Sequence, residues 1–366
     1  MKVLHILNEL KPSGAETMLL SAAPAWNAES NQHILSTGEV EGAFAVPLRD
    51  AGYKIHHLPF SISLGFFRRV GALLMDEDFD VIHLHTERAS LWYAITARLL
   101  GPTDVRVVRT VHHLFQFDGL FRLRRMFERQ FMRRFLGVAF LSNSPSGIRN
   151  ERKRFHMANV LAPNWYDSRK FRPPTAGERQ QARESCGFPS DTTVFISLGG
   201  NWSYKNYDRI VQALAQIPAD LKILYVQIGV QGEGAPLETL AQTLGVSGRL
   251  HCTGMVDDAL AYLHGADVYL MPSSEEGFGV AAVEAMASGL PAVLSDVEAL
   301  CDFRENVQAI CYIQPAVKEI AMAMENLARL PDAARRQMGQ QQARDVGAHY
   351  GLQVGPVDYL RAWRTR

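Results

Sequence analysis

Short apolar or β-branched runs alternate along this chain with longer segments of helical period, and that alternation restricts the fold more than any other feature. Val3–Leu7, Asp80–His85, Val105–Val111 and Val138–Ser142 read as strands in the first half. Thr193–Leu198, Lys222–Ile228, Leu250–Thr253, Asp267–Pro272 and Ala292–Ser295 read as strands in the second. Strands that are apolar over nearly their whole length, with helices between them, belong in parallel sheets covered on both faces. At 366 residues the chain is long for one core. A polar, Pro-rich break, P-N-W-Y-D-S-R-K-F-R-P-P-T-A-G (Pro163–Gly177), separates two such series. The expectation is α/β: two doubly wound, Rossmann-like domains, 1–165 and 166–349. Facing each other, they would form a cleft lined by strand C-terminal ends, where such folds bind ligands.

Composition narrows the function classes. Lys+Arg and Asp+Glu both number 38, so the excess of cations that a general nucleic-acid binder needs is missing. The four cysteines are widely spaced and form no C-x-x-C pair, which suits a reducing compartment and neither a disulfide framework nor a structural zinc site. The apolar stretch of M-K-V-L-H-I-L-N-E-L-K-P is broken by His5 and too short for a signal peptide. No later run nears the roughly 18 apolar residues of a membrane span. A cytoplasmic protein is expected.

The densest chemical signal is S-S-E-E-G-F-G-V-A-A-V-E-A-M-A-S-G-L-P (Ser273–Pro291). A buried strand ends at Pro272, a glycine-flanked turn follows, and Val280–Ser288 reads as a helix closed by Gly289. The free amides from Gly277 to Val280 then sit at a strand's C-terminal end, where unpaired N–H groups and the helix dipole attract phosphate. Glu284 lies about one turn inside, roughly 7 Å along the axis from Gly279, a fitting place for a carboxylate that accepts from ribose hydroxyls. Glu276, in the turn, faces the other end of such a ligand. Two solvated acids are the plainer alternative, set against the close backbone approach that Gly-x-Gly and a small-residue helix imply.

These residues carry a resemblance. E-G-F-G-V-A-A-V-E-A-M-A-S-G-L-P resembles the E-x7-E segment of retaining GT-B glycosyltransferases of the family 4 type. G-A-D-V-Y-L-M-P-S (Gly265–Ser273), H-C-T-G-M-V-D-D (His251–Asp258), the break at Pro163, P-S-G-A-E (Pro12–Glu16) and R-T-V-H-H (Arg109–His113) resemble its other segments, in the family's order. The resemblance implies a GT-B fold with an acceptor-binding N-terminal domain, onto which a helix of about 350–366 packs back, and a nucleotide-sugar-binding C-terminal domain. It implies that Glu284 holds the ribose and Glu276 the transferred sugar. The amides of Gly277, Phe278 and Gly279 would contact the donor, and the backbone at Met255 and Val256 would meet the base. Lys205, in N-W-S-Y-K-N, would neutralise the diphosphate; a surface loop lysine is its ordinary alternative. The chain departs from the pattern at Gly199-Gly200-Asn201, where an arginine usually follows the strand's glycine. In the first domain Gly14 would bring amides to the donor, unless it is an ordinary strand-to-helix glycine. His112, at a strand end, would contact the reacting sugar, with His113 where the family often has aspartate.

Other signals are weaker. His83, His85, His112 and His113 lack a compact ligand spacing with a carboxylate. Asp76-Glu77-Asp78 imitates a D-x-D motif but precedes its strand, at the wrong end of the sheet. No metal and no cofactor is expected, the nucleotide sugar being a substrate. Gly229-x-x-Gly232-x-Gly234 does not fit G-x-G-x-x-G. In Phe121–Leu136, Leu123, Phe127, Phe131 and Phe135 recur every four residues, beside arginines at 122, 125, 129 and 133. That helix either packs its apolar stripe on the core, the favoured reading, or lies peripherally on anionic membrane.

The function expected is metal-independent retaining transfer of a sugar from a nucleotide-diphosphate donor, UDP-sugar favoured and GDP-sugar open. Its acceptor would be a saccharide or lipid-linked group, in cell-surface polysaccharide or glycolipid assembly. The family offers no convincing carboxylate nucleophile, so same-face substitution is preferred, with Lys205, the helix amides and the Gly14 loop stabilising the leaving charge in a closed cleft. A GT-B epimerase, a phosphorylase and a non-catalytic nucleotide-sugar-binding protein are the alternatives.

Overall fold

The structure, a computed structural model, describes residues 1–232, 236–256 and 258–365. The chain divides into two compact units, Met1–Trp165 with Leu352–Arg366, and Tyr166–Gly351.

The first unit is built on strands β1 (Lys2–Leu7), β2 (Asn31–Ser36), β3 (Lys54–His57), β4 (Val81–Leu84), β5 (Arg106–Val111), β6 (Ala139–Ser142) and β7 (Val160–Leu161). They form one sheet in the order β3-β2-β1-β4-β5-β6-β7, with neighbouring strands parallel. The order reverses between β1 and β4, the switch point at which doubly wound sheets receive ligands. β2, β3 and β7 are absent from the expected strands. N-Q-H-I-L-S and K-I-H-H carry polar groups where a buried parallel strand is expected to be apolar, and β7 is two residues long. The polar groups are accommodated by pairing: His33 Nδ1 and His56 Nε2 lie 3.0 Å apart across β2 and β3. The face that carries His5 is covered by helices Gly14–Asn27 and Gly355–Arg364, whose Trp26, Tyr359 and Trp363 are buried. The Trp26 indole donates to the Pro356 carbonyl at 3.1 Å, so the chain's last described helix is fastened to this unit. A fully buried aromatic of this size contributes about 2–3 kcal/mol.

The second unit holds β8 (Thr193–Leu198), β9 (Ile223–Ile228), β10 (Leu250–Gly254), β11 (Val268–Met271), β12 (Ala292–Ser295) and β13 (Cys311–Ile313). Its order is β10-β9-β8-β11-β12-β13, again parallel, with the reversal between β8 and β11. The helix Val280–Ala287 packs on the 19-residue helix Asp332–Tyr350. Its small side chains allow this: a Cβ added at Gly339 would stand 1.9 Å from the Gly289 carbonyl oxygen.

The helix Gly119–Arg134 overturns the favoured reading of its apolar stripe. Phe127 is 67% and Phe135 75% exposed, with Leu123 and Phe131 also exposed, whereas Arg129 is fully buried. The reason lies outside the helix. Glu87 and Glu151 stand under it: Arg129 Nε reaches Glu151 Oε2 at 3.0 Å and its Nη1 reaches Glu87 Oε1 at 3.0 Å. Arg109 also pairs with Glu87. Burying two carboxylates demands partners, and that demand draws Arg129 inward with Arg125 half-buried beside it, while Arg122 and Arg133 stay exposed.

Candidate functional site

The acidic turn forms at the switch point of the second sheet. β11 delivers Ser273 and Glu276, while the loop after β8 delivers Lys205 from a single 3-10 turn, Ser203–Lys205. Lys205 Nζ meets Glu276 Oε1 at 2.6 Å, and Ser273 Oγ donates to the same oxygen at 2.8 Å. Both partners of the pair are largely shielded, 13% and 11% exposed. Two hydrogen bonds hold the loops together: Asn206 Nδ2 to the Pro272 carbonyl, and the Ser274 amide to the Tyr204 carbonyl, each 2.8 Å. Ser273 and Asn206 were not singled out by the sequence. Neither carries a signature, because their roles depend on two loops 66 to 71 residues apart.

The helix Val280–Ala287 starts at Gly279, whose φ of 91° lies in the left-handed region and whose added Cβ would meet Leu300 Cδ2 at 2.8 Å. A side chain is excluded there twice over. The Phe278 ring is buried between Phe303 and Tyr350, each 5.5 Å away, so only its backbone can face a ligand. Glu284 is half-buried one turn inside. Burial pushes its carboxyl up to about 7, against the pull of Lys170 and with a further push from Asp167. Among the described residues no hydrogen bond to its carboxylate is formed. Gly277 is half-buried, Met255 is exposed and Val256 half-buried, the last two following β10. Asn201 is buried with its amide on the Val230 carbonyl at 2.9 Å; it supplies no charge where the family pattern has arginine. Gly234 and Asp257, which belong to two of the quoted motifs, lie outside the described residues.

In the first unit Gly14 opens the helix Gly14–Asn27 behind β1, and the buried Glu16 accepts from Ser13 Oγ. His112 follows the last residue of β5. It is not isolated. The register places Gln32 on β2, His5 on β1, His83 on β4 and Thr110 on β5 on one face of the sheet, and His85 and His112 follow those last two strands with the same alternation. Burial holds His112 down at about 3, aided by the charges of His113 and Arg109. Burial likewise lowers His5 to about 4, partly countered by Gln32, and keeps His83 and His85 well below the ordinary histidine value.

His5, His83 and His85 bring ligand atoms within 4.8 Å of one another, as do His33, His56 and Glu77. In the first group the nitrogens are engaged: His83 Nδ1 accepts from Trp363 Nε1 at 3.1 Å and its Nε2 meets Thr110 Oγ1 at 2.7 Å. In the second, Glu77 is held by Lys2 and Lys54, at the N-terminal ends of β1 and β3.

With this geometry in place, comparison with known proteins settles the family. The model for glycosyl transferases group 1 matches residues 178–345, and that for glycosyltransferase family 4 matches residues 3–169. The chain belongs to the GT-B glycosyltransferases of the family 4 type. It is 29% identical to the Escherichia coli lipopolysaccharide glucosyltransferase WaaG over 38% of this chain and 37% of that one. It is 26% identical to the phosphatidyl-myo-inositol mannosyltransferase of Mycobacterium leprae over 99% of this chain and 91% of the relative. The crystal structure of Anabaena Alr3699/HepE in complex with UDP and glucose shares the fold, with a TM-score of 0.83 at 18% identity over 99% of both chains. Glycosyltransferase activity follows from that membership.

Proposed function

We propose that this glycosyltransferase moves a sugar, with retention of anomeric configuration and without a metal ion, from a UDP-sugar to a saccharide or lipid-linked acceptor of a cell-surface polysaccharide or glycolipid. The observation that carries this reading is the Lys205–Glu276 pair at the mouth of the helix Val280–Ala287, with the unpartnered Glu284 carboxylate one turn inside. In this reading the diphosphate takes Lys205 and the amides of Gly277 to Gly279, the ribose takes Glu284, and the transferred sugar takes Glu276. The backbone at Met255 and Val256 takes the base. His112 and the Gly14 loop serve the reacting sugar. As the bond to the diphosphate breaks, negative charge grows on the leaving oxygen, and the ammonium and amides stabilise it electrostatically. No carboxylate is assigned as nucleophile, so the acceptor hydroxyl is taken to attack from the face the diphosphate leaves. A product time course by NMR that shows the inverted anomer overturns retention. That the Anabaena structure holds UDP favours the uridine donor.

We further assign the exposed Phe127–Phe131–Phe135 stripe, flanked by exposed Arg122, Arg124, Arg133 and Arg134, to the surface of anionic membrane. That the mycobacterial relative is a phosphatidyl-myo-inositol mannosyltransferase favours an acceptor at such a surface. No helix among the described residues is long and apolar enough to cross a membrane.

The test is a thermal-shift screen against UDP, GDP, ADP and their sugars. A ligand at about 100 times its Kd stabilises by about 2.7 kcal/mol, so a clear rise in Tm is expected with UDP and UDP-sugars. A rise with GDP compounds alone reassigns the base, and no rise with any of them refutes the donor site.

A further inference from the structure

The buried histidines of the first unit form a directed chain. Ser30 Oγ donates to the Trp26 carbonyl at 2.8 Å, which uses its only hydrogen. Its oxygen is then the acceptor for Gln32 Nε2 at 2.6 Å, and that contact orients the Gln32 amide. Gln32 Oε1 therefore faces His5 Nε2, 2.8 Å away, and His5 must carry its proton on Nε2. His5 Nδ1 is left as an acceptor, and the partner 2.9 Å from it is His85 Nε2. His85 in turn keeps a bare Nδ1, which lies 3.0 Å from His112 Nε2. Each ring is neutral, because burial depresses all three. A neutral imidazole has one donor and one acceptor, so a single anchored hydroxyl sets every tautomer in the row.

We infer that Gln32, His5 and His85 are positioning residues that fix His112 as its Nε2–H tautomer, so that His112 presents an unprotonated Nδ1 as a hydrogen-bond acceptor to a ligand hydroxyl. The inference rests on the assignment of His112 to the reacting sugar. No protein hydrogen bond to His112 Nδ1 occurs among the described residues, and the residue is half-buried. A nitrogen in that state accepts from a sugar hydroxyl and is repelled by the oxygens of a phosphate. His112 therefore selects for O–H groups, and the diphosphate is left to Lys205. Trp363, which donates to His83 Nδ1, sets the neighbouring ring by the same logic without joining the row.

The test is a long-range proton–nitrogen correlation spectrum of the 15N-labelled full chain near pH 7, without ligand, with His112→Ala used to assign the signals. The expected result is His112 protonated on Nε2, by roughly tenfold or more over the other tautomer, as one buried hydrogen bond would enforce. His85→Gln, whose amide can accept at one end and donate at the other, should retain that preference. His85→Phe, which removes the acceptor, should lower that preference severalfold, towards the ratio of a free imidazole. His112 protonated on Nδ1 in the unaltered chain overturns the proposal, as does an unchanged preference in a folded His85→Phe. If His85→Phe does not fold, the unaltered chain and His85→Gln decide alone. A His112→Ala protein that transfers sugar as fast as the unaltered one defeats the site assignment instead, and leaves the tautomer result standing.

Discussion

The two units set polar groups at the C-terminal ends of their strands in opposite electrical states. In the second, Lys205 and Glu276 are an ion pair and Glu284 is a carboxylate whose proton leaves near neutrality. In the first, His5, His85 and His112 are neutral and spend their hydrogen bonds on one another. Charge is needed where a diphosphate must be held and its leaving charge stabilised. A fixed acceptor is needed where a hydroxyl must be oriented and a second charge would disturb the chemistry. The proposed division of labour thus rests on which groups each sheet holds.

The largest expected effect is on the charged side. Lys205→Ala should lower kcat by roughly 10²- to 10³-fold, the loss typical of one electrostatic stabiliser of a leaving oxyanion; a drop within a factor of three breaks the comparison. On the neutral side His112→Ala should cost about tenfold in kcat/KM, the worth of one hydrogen bond to the sugar, and leave UDP affinity within twofold. A UDP affinity that collapses with His112 would show that the two units do not divide the donor as described.

pH separates them further. Burial pushes Glu284 up to about 7 against an ordinary 4.5, and in its proposed role it would accept ribose hydroxyls best when ionised. UDP-glucose affinity should therefore fall by up to roughly tenfold per unit as pH drops below 7, and Glu284→Gln should remove that slope. Stability runs the other way. The folded acid binds its proton more tightly than the unfolded one, so stability declines as pH rises from about 4.5 to about 7, and Glu284→Gln should flatten this decline. His112, held at about 3, should add no slope above pH 5. The smallest change is at the exposed stripe: Phe127→Glu with Phe135→Glu should abolish co-sedimentation with anionic vesicles at low salt and leave Tm within about 1 °C, since neither ring is buried.

Much of the C-terminal unit was legible because its signals are local. Thr193–Leu198 and Ala292–Ser295 are strands to the residue, and the turn, glycines and small-residue helix of Ser273–Pro291 follow from their own chemistry. The N-terminal unit was less legible because its decisive contacts are remote. His83, His85 and His112 were visible one by one, but Gln32 and His5 join them only through the register of four strands. The helix Gly119–Arg134 shows the same limit. Its period-four phenylalanines state that one face is apolar, and only Glu87 and Glu151 decide that Arg129 is drawn inward and the phenylalanines left out.

On the proposed function, the second unit grips a nucleotide sugar by a carboxylate, Glu284, inside the helix mouth. Calorimetric titration of UDP into the unaltered chain and into Glu284→Ala at pH 8 tests it most directly. The expected Kd is weaker by about 10- to 100-fold in the variant, the cost of removing a charged partner from the ribose hydroxyls, with Tm of the free proteins little changed. Equal affinities in the two proteins would contradict it.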